Sequence, residues 1–326
     1  MSQSPAATPA TGSATTNIVA VTGGTGFVGG ALLAELISAG YRVKALARST
    51  SKLDRFADST EIIEGSLSDE RAIADLCEGA QTVVHCAGLT HALTDAAFQE
   101  TNVEGARRVA AAASDAGSKF VHLSSMAARA PHLSPYAQSK FDSEGAVAEA
   151  SVSGAWIALR LPAIYGPGDM ATLPYFKLVR SGLAPEPAAE PSSRVSILFV
   201  EDVVQAIIAA MENAPTGKVY EVADEREDGF TWAEIGESLG RAFGRKPRRL
   251  RVPRPILASY AGLIEAGARL IGKPTMMTRA KIAEFFHPDW VARDQLLTAA
   301  TDWQPQTPLD EGFAKTVRWY QERKMV

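Results

Sequence analysis

Tyr136 and Lys140 stand four residues apart in SPYAQSK, a segment of helical pattern, and so share one helix face. A phenol beside an ammonium is a proton-transfer pair, because the cation favours the phenolate and draws a tyrosine down from its usual pKa of about 10. Ser125, at the strand end in VHLSSM, offers a hydroxyl to a substrate carbonyl or alcohol oxygen. On the pair alone, chance spacing in a helix is the better explanation. The other motifs and their order reverse that balance.

Gly23, Gly26 and Gly29 lie in TGGTGFVG, between a short β-branched run and a helical pattern. Glycines there let the backbone approach a pyrophosphate, whose charge is favoured by the free amides and positive end of the following helix. A helix start that simply needs glycine is the plainer alternative; placement after an N-terminal strand in a βαβ series argues for a dinucleotide. The second strand ends Leu46-Ala47-Arg48-Ser49, with no acid to hold ribose hydroxyls. A guanidinium pairs with a 2′-phosphate in bidentate fashion, so Arg48 favours NADP(H) over NAD(H), unless it is only a solvated arginine. Ser66 and Leu67, after the third strand, fall where an adenine ring would lie, or form an ordinary strand-to-helix turn.

Such a site needs a frame. Strand patterns at 17–22, 42–46, 61–64, 82–85 and 119–123 alternate with helical patterns at 27–39, 70–76 and 98–116, which predicts an α/β fold with a doubly wound parallel Rossmann sheet. A helix with Tyr136 and Lys140 follows, then a strand at 156–160 and the corner LPAIYGPGD. Residues 17–170 form the expected dinucleotide-binding domain. A strand at 195–199 and a helix at 202–211 belong to the stretch 195–224 that returns to it. Residues 171–194 and 225–326 form a smaller, mostly helical C-terminal substrate lobe. Leu173, Pro174, Tyr175, Phe176 and the stretch 256–277 are its candidate substrate contacts, although such apolar stripes are more often plain core. The apolar stretch 256–271, which includes Glu265 and Arg269, reads as a packed amphipathic helix.

With 326 residues, 46% hydrophobic and 21% charged, the composition is that of a globular protein. A net charge of −4 provides no global attraction to nucleic acid, and none is expected as a partner. Arg241, Arg245, Lys246, Arg248, Arg249, Arg251 and Arg254 crowd one segment; most such runs are solvated faces, yet RNA, an anionic lipid surface or a substrate phosphate would also fit. Residues 1–16 read as a disordered tail rather than a signal peptide. No stretch reaches the roughly 20 apolar residues of a spanning helix. Cys77 and Cys86 have neither metal-ligand nor disulfide spacing, and His91, His122, His132 and His287 offer no metal site, so a reducing, cytoplasmic location and no metal are expected.

Taken in order, these motifs resemble the extended branch of the short-chain dehydrogenase/reductase superfamily, the NAD-dependent epimerase/dehydratase family. TGGTGFVG is similar to its glycine motif, VVHCAGLT to its fourth-strand motif, TNVEG to its central-helix asparagine (Asn102), SPYAQSK to its Tyr-x-x-x-Lys motif, and LRLPAIYGPGD, FVEDVVQAI and TDWQPQTPLDEGFAKTVRWY to its later signatures. The resemblance implies an NAD(P)-dependent oxidoreductase acting reversibly on a small-molecule carbonyl or alcohol. Tyr136 would be the acid/base, Lys140 would lower its pKa and hold the nicotinamide ribose, and Ser125 would orient the reacting oxygen, with Ser124 its rival. Asn102 would support the helix and an ordered water. Gly23, Thr25, Gly26, Phe27, Val28, Arg48, Ser66, Leu67, Cys86, Ala87, Gly88, Pro162 and Ile164 would border the cofactor, together with Tyr136 and Lys140, and His85 would approach it through main chain. A homodimer through helices near 98–116 and 136–150 is implied as well.

Two features lean toward a reductase. MAARAPHLSP, between Ser125 and Tyr136, is short and contains no acid that could act as a dehydratase partner. Arg194 in RVSILFVEDV lies one residue from the place usual for gripping a nucleotide diphosphate, and a one-residue offset in a strand turns the side chain to the other face. A nucleotide-sugar epimerase or dehydratase with tightly bound NAD is the alternative. A cofactor-sensing regulatory or assembly protein is the non-enzyme alternative, disfavoured because both Tyr136 and Lys140 are present.

Overall fold

Strands that are apolar on both faces must be covered on both sides. In the computed structural model, which describes residues 17–326, β1 (Ile18–Thr22), β2 (Arg42–Ala47), β4 (Thr82–His85), β5 (Lys119–Ser125) and β6 (Trp156–Leu161) are mostly buried strands of this kind, whereas edge strand β3 (Thr60–Glu64) exposes Glu61 and Glu64. The tail expected at 1–16 lies outside the described residues. Short β7 (Ala163–Tyr165), β8 (Leu183–Pro187), β9 (Arg194–Val195) and β10 (Ile197–Phe199) follow, then β11 (Lys218–Glu221), β12 (Phe230–Thr231), β13 (Arg248–Val252) and β14 (Asp289–Trp290). The main sheet has seven strands in the order β11-β6-β5-β4-β1-β2-β3, every neighbouring pair parallel.

Helices α1 (Phe27–Ser38), α2 (Glu70–Cys77), α3 (Asp95–Phe98), α4 (Gly105–Asp115) and α5 (Pro135–Ala150) connect these strands. They are followed by α6 (Leu173–Arg180), α7 (Val200–Asn213), α8 (Trp232–Ala242), α9 (Arg254–Leu270), α10 (Arg279–Phe285), α11 (Leu297–Ala300) and α12 (Leu309–Glu322). Leu32, Leu33 and Leu36 of α1 join Val203, Ile207 and Ala210 of α7 in the core on one face of the sheet. Ile73 and Leu76 of α2, Val109 and Ala113 of α4, and Val147 of α5 build the other. The fold is the expected doubly wound α/β sheet. Strand order reverses at β1, which pairs with β2 on one side and β4 on the other, so a crevice opens beyond the carboxyl ends of β1 and β4.

A second core, built on Phe176, Phe230, Leu239, Phe313 and Tyr320, holds α6, α8 and α12 together. Leu173 and Phe176, candidate substrate contacts by sequence, are buried in it as plain core. Buried carboxylates stitch this part to the main sheet. Asp202 accepts from the amides of Gln306 and Thr307 at 2.9 and 3.0 Å, and Glu221 from those of Arg293 and Asp294 at 2.8 and 3.1 Å.

Three local expectations change. The strand expected at 195–199 is broken at buried Ser196, whose hydroxyl accepts from the Ala292 amide; β9 pairs with β12 and β14, while β10 pairs with β7. The helix expected to start near 98 begins at Asp95 and passes through a π-helical turn, Gln99–Glu104, before α4. The helix expected to be packed at 256–271 is α9, and only Ala261 on it is buried.

Candidate functional site

The glycine turn is held where β1 meets β4. Gly23 has φ +75°, in the left-handed region that favours glycine, and a Cβ there would lie 2.5 Å from the Ala87 amide nitrogen. At Gly29 a Cβ would fall 2.2 Å from the Gly23 carbonyl oxygen, so the first turn of α1 presses against the loop. Gly26 is the N-cap of α1; no side chain caps it and no acid lies in the first turn. The amides of that helix end therefore remain unsatisfied by protein side chains, a cradle suited to a pyrophosphate. Thr25 and Gly26 are exposed on this turn and Phe27 and Val28 half-buried beneath it.

Arg48 follows β2 directly, is exposed, and has no acidic partner among the described residues. Ser66 and Leu67 follow β3; the Ser66 hydroxyl bonds Ser68 at 2.9 Å, and Leu67 packs toward α4, where its carbonyl accepts from Arg108 at 3.3 Å. These residues lie beyond the carboxyl ends of adjacent strands β2 and β3.

Beyond β4, the Cys86 amide donates to the Thr22 carbonyl at 3.1 Å. The Ala87 amide reaches the Thr22 hydroxyl at 3.4 Å. Desolvation pushes the Cys86 thiol up to about 12, which makes it inert as a nucleophile. Asn102 is fully engaged: Oδ1 accepts from the Leu89 amide at 2.7 Å, while Nδ2 donates to the Leu89 carbonyl at 3.0 Å and to Ser139 Oγ at 2.9 Å. Ser139 in turn donates to the Tyr136 carbonyl at 2.8 Å. Asn102 thus ties the β4 loop to α5, and it stands on the π-helical turn. Buried His85 accepts or donates at Thr22 Oγ1, 2.8 Å away, and burial lowers its pKa to about 3, so it is neutral at physiological pH.

Strand alternation sends the two candidate serines to opposite sides. Ser124 donates to buried Glu144 at 2.5 Å, and Glu144 also takes two bonds from Arg160, at 2.9 and 2.8 Å. Ser125 points the other way and places its hydroxyl beside the Tyr136 phenol. Ser134 caps α5 by accepting from the Ala137 amide at 2.9 Å, with Pro135 at the first helical position, which fixes where Tyr136 emerges.

Lys140 is buried, its Nζ donating to the Leu123 carbonyl at 2.5 Å, and burial lowers its pKa to about 8 against the opposing pull of Glu144. Burial raises the pKa of Tyr136. The cation opposing that rise is Lys281, 5.2 Å from the ring centroid, with the Ser125 hydroxyl also pulling down and Glu284 pushing up. Lys281 Nζ bonds Glu284 at 2.6 Å, and Glu284 also accepts from the Ser134 hydroxyl. Lys281, 145 positions along the chain from Tyr136, thus stands as a further cation beside the phenol.

Tyr136 opens on a cavity walled by Thr90 and His91 from the β4 loop, Phe98, Ala268 of α9, and Pro274 and Met276 of the following loop. Of the expected substrate contacts, the stretch 256–277 reaches this cavity. Pro162 is buried between β6 and β7, and Ile164 is half-buried on β7, packed against the main core. Lys281 and Glu284 were not legible in the sequence: RAKIAEF reads as an ordinary helix with a surface i,i+3 pair, and only the packing of α10 against the turn before α5 reveals them.

A Rossmann sheet with an uncapped glycine turn, and a serine, tyrosine and lysine at the ends of β5 and α5, define a nicotinamide-dependent enzyme of the short-chain dehydrogenase/reductase type. The model of the NAD dependent epimerase/dehydratase family matches residues 19–223, and the chain belongs to that family. It is 37% identical over 305 residues to the ceramide reductase of Caulobacter vibrioides (strain NA1000 / CB15N), covering 93% of this chain and 94% of that one. It is 31% identical over 233 residues to the 4-hydroxy-2-methyl-3-oxo-4-farnesyl-3,4-dihydroquinoline-1-oxide ketoreductase of Stigmatella aurantiaca, covering 63% and 67%. The structure of dTDP-glucose 4,6-dehydratase from Bacillus anthracis str. Ames in complex with NAD shares the fold, with a TM-score of 0.71 at 16% identity over 94% of this chain and 97% of that one. Among the described residues no helix is long and apolar enough to cross a membrane.

Proposed function

We propose that the protein is an NADP(H)-dependent reductase of a ketone on a small, largely apolar molecule, working reversibly as an alcohol dehydrogenase. The observation that carries this reading is the Tyr136 phenol facing a cavity of mixed, partly apolar lining with the Ser125 hydroxyl at its side. The nicotinamide, when bound, supplies or accepts the hydride. The uncapped amides at the start of α1 would hold its pyrophosphate and Arg48 its 2′-phosphate. Ser125 orients the carbonyl oxygen, and Tyr136 gives it a proton. Burial keeps that phenol protonated at neutral pH, the form that ketone reduction requires.

Arg194 supports the same reading. Its guanidinium is spent on the carbonyls of Asp228 and Gly229, at 2.6 and 3.2 Å, instead of being free for a nucleotide diphosphate. Both relatives named above are reductases by name, so a long-chain keto-amide of the ceramide kind is the first substrate to try. A homodimer through α4 and α5, whose Phe141 is half exposed, belongs to this proposal.

Purified protein analysed by mass spectrometry is expected to carry no nucleotide, and to prefer NADPH over NADH in fluorescence titration. NAD retained through purification, with no exchange, would instead point to epimerase or dehydratase chemistry. Lys281→Met removes the cation that lowers Tyr136, so the phenol holds its proton to higher pH. The rising, acid-side limb of alcohol oxidation, which needs phenolate, should move to higher pH. A pH–rate profile identical to wild type would remove Lys281 from the account.

A further inference from the structure

We infer that α9 is a membrane-surface helix, seated in the headgroup plane of an anionic lipid bilayer and forming one wall of the path from that surface to Tyr136. Ile256, Tyr260, Leu263 and Leu270 recur at helical spacing along one side of α9 and are 60, 56, 75 and 88% exposed, and Ile271 just beyond is 69% exposed. The opposite side packs on α10 and lends Glu265 and Ala268 to the cavity. A helix apolar on both sides belongs inside a core, yet this one has nothing over its outer side among the described residues. Of the fourteen large apolar side chains exposed among the described residues, eight fall between residues 250 and 277, so the exposure is one patch rather than a scatter.

Charge names the occupant. Residues 241–273 include nine Lys or Arg and one acid, in a chain whose net charge is −4. Arg241, Arg249 and Arg251 have acidic partners in Asp310, Glu186 and Glu190. Arg245, Lys246, Arg248, Arg254 and Lys273 have none among the described residues. Arg248 on β13 and Arg254 in the first turn of α9 lie at one end of the helix and Lys273 just past the other, so unneutralised positive charge flanks the apolar stripe at both ends. A second copy of the chain would set like charge against like across a two-fold contact, and a nucleic acid would leave the Leu and Ile side chains in water. Anionic lipid satisfies both, with phosphates for the cations and acyl chains for the stripe.

The placement also gives the cavity a use for its wall. Met276, 37% exposed, lies both in the patch and in the cavity lining, so an apolar substrate can pass from the bilayer edge toward Tyr136 without crossing water. This delivery step rests on the reductase reading; the docking does not.

The test is flotation of the full-length protein with vesicles of phosphatidylcholine alone and of phosphatidylcholine mixed with phosphatidylglycerol. The protein should float with the anionic vesicles and bind the neutral ones, or the anionic ones in high salt, about tenfold less well. Leu263→Glu with Leu270→Glu alters only exposed positions, so circular dichroism and NADPH binding should match wild type while flotation is lost. Wild-type protein left unbound by anionic vesicles, or a double variant that floats equally well, overturns the proposal. So does a wild-type dimer by sedimentation that the double variant splits, since a second copy would then cover the face. Vesicle binding without any carbonyl reduction would refute the reductase reading alone.

Discussion

Tyr136→Phe is expected to lower kcat about a thousandfold while leaving NADPH affinity within about a factor of two. The substitution keeps the ring, and with it the packing against Phe98 at 6.2 Å between centroids, but removes the hydroxyl that Ser125 faces. A lost general acid costs about 4 kcal/mol of transition-state stabilisation, far more than the ring contacts could change. Steady-state kinetics beside a fluorescence titration separates the two quantities. Turnover like that of wild type in this variant would end the proposed mechanism.

Arg48→Ala is expected to weaken NADPH binding about 10- to 100-fold and to leave NADH nearly unchanged. The size follows from losing a charge-assisted, bidentate contact to a 2′-phosphate. The selectivity follows from position: Arg48 is exposed at the end of β2, without an acidic partner among the described residues, and no acid stands beside it to hold a free ribose. Titration of the variant with both nucleotides decides the matter. Equal loss for both would show that Arg48 does not read the phosphate.

The parallel sheet was legible because its central strands bury both faces and so appear as short, nearly continuous apolar runs, punctuated by the glycine turn after β1 and by helical patterns between. Ser125, Tyr136 and Lys140 were singled out by the order of the family-like motifs rather than by spacing alone, and they sit at the end of a strand and on the first turns of a capped helix. Choosing Ser125 over Ser124 rested on analogy, and the partner that occupies Ser124, Glu144, lies on the same helix as Lys140 but is recognisable only once β5 packs on α5. Lys281 and Glu284 had no signal at all, since their meeting with Tyr136 depends on α10 folding back across about 145 residues. α9 failed for the opposite reason. Its helical periodicity was read correctly, but periodicity cannot say which apolar side has a partner within the chain, and the side with Leu263 and Leu270 has none among the described residues.

The central claim is hydride transfer to a carbonyl carbon with Tyr136 supplying the proton. The most direct measurement incubates the protein with a long-chain keto-amide and NADPH deuterated at the transferable position of its nicotinamide, followed by mass spectrometry of the product. The account predicts one deuterium on the new carbinol carbon for each NADPH consumed, and about a thousandfold less product from Tyr136→Phe. An unlabelled or unchanged keto-amide, with retained NAD and interconversion of a nucleotide sugar by the same preparation, would contradict it.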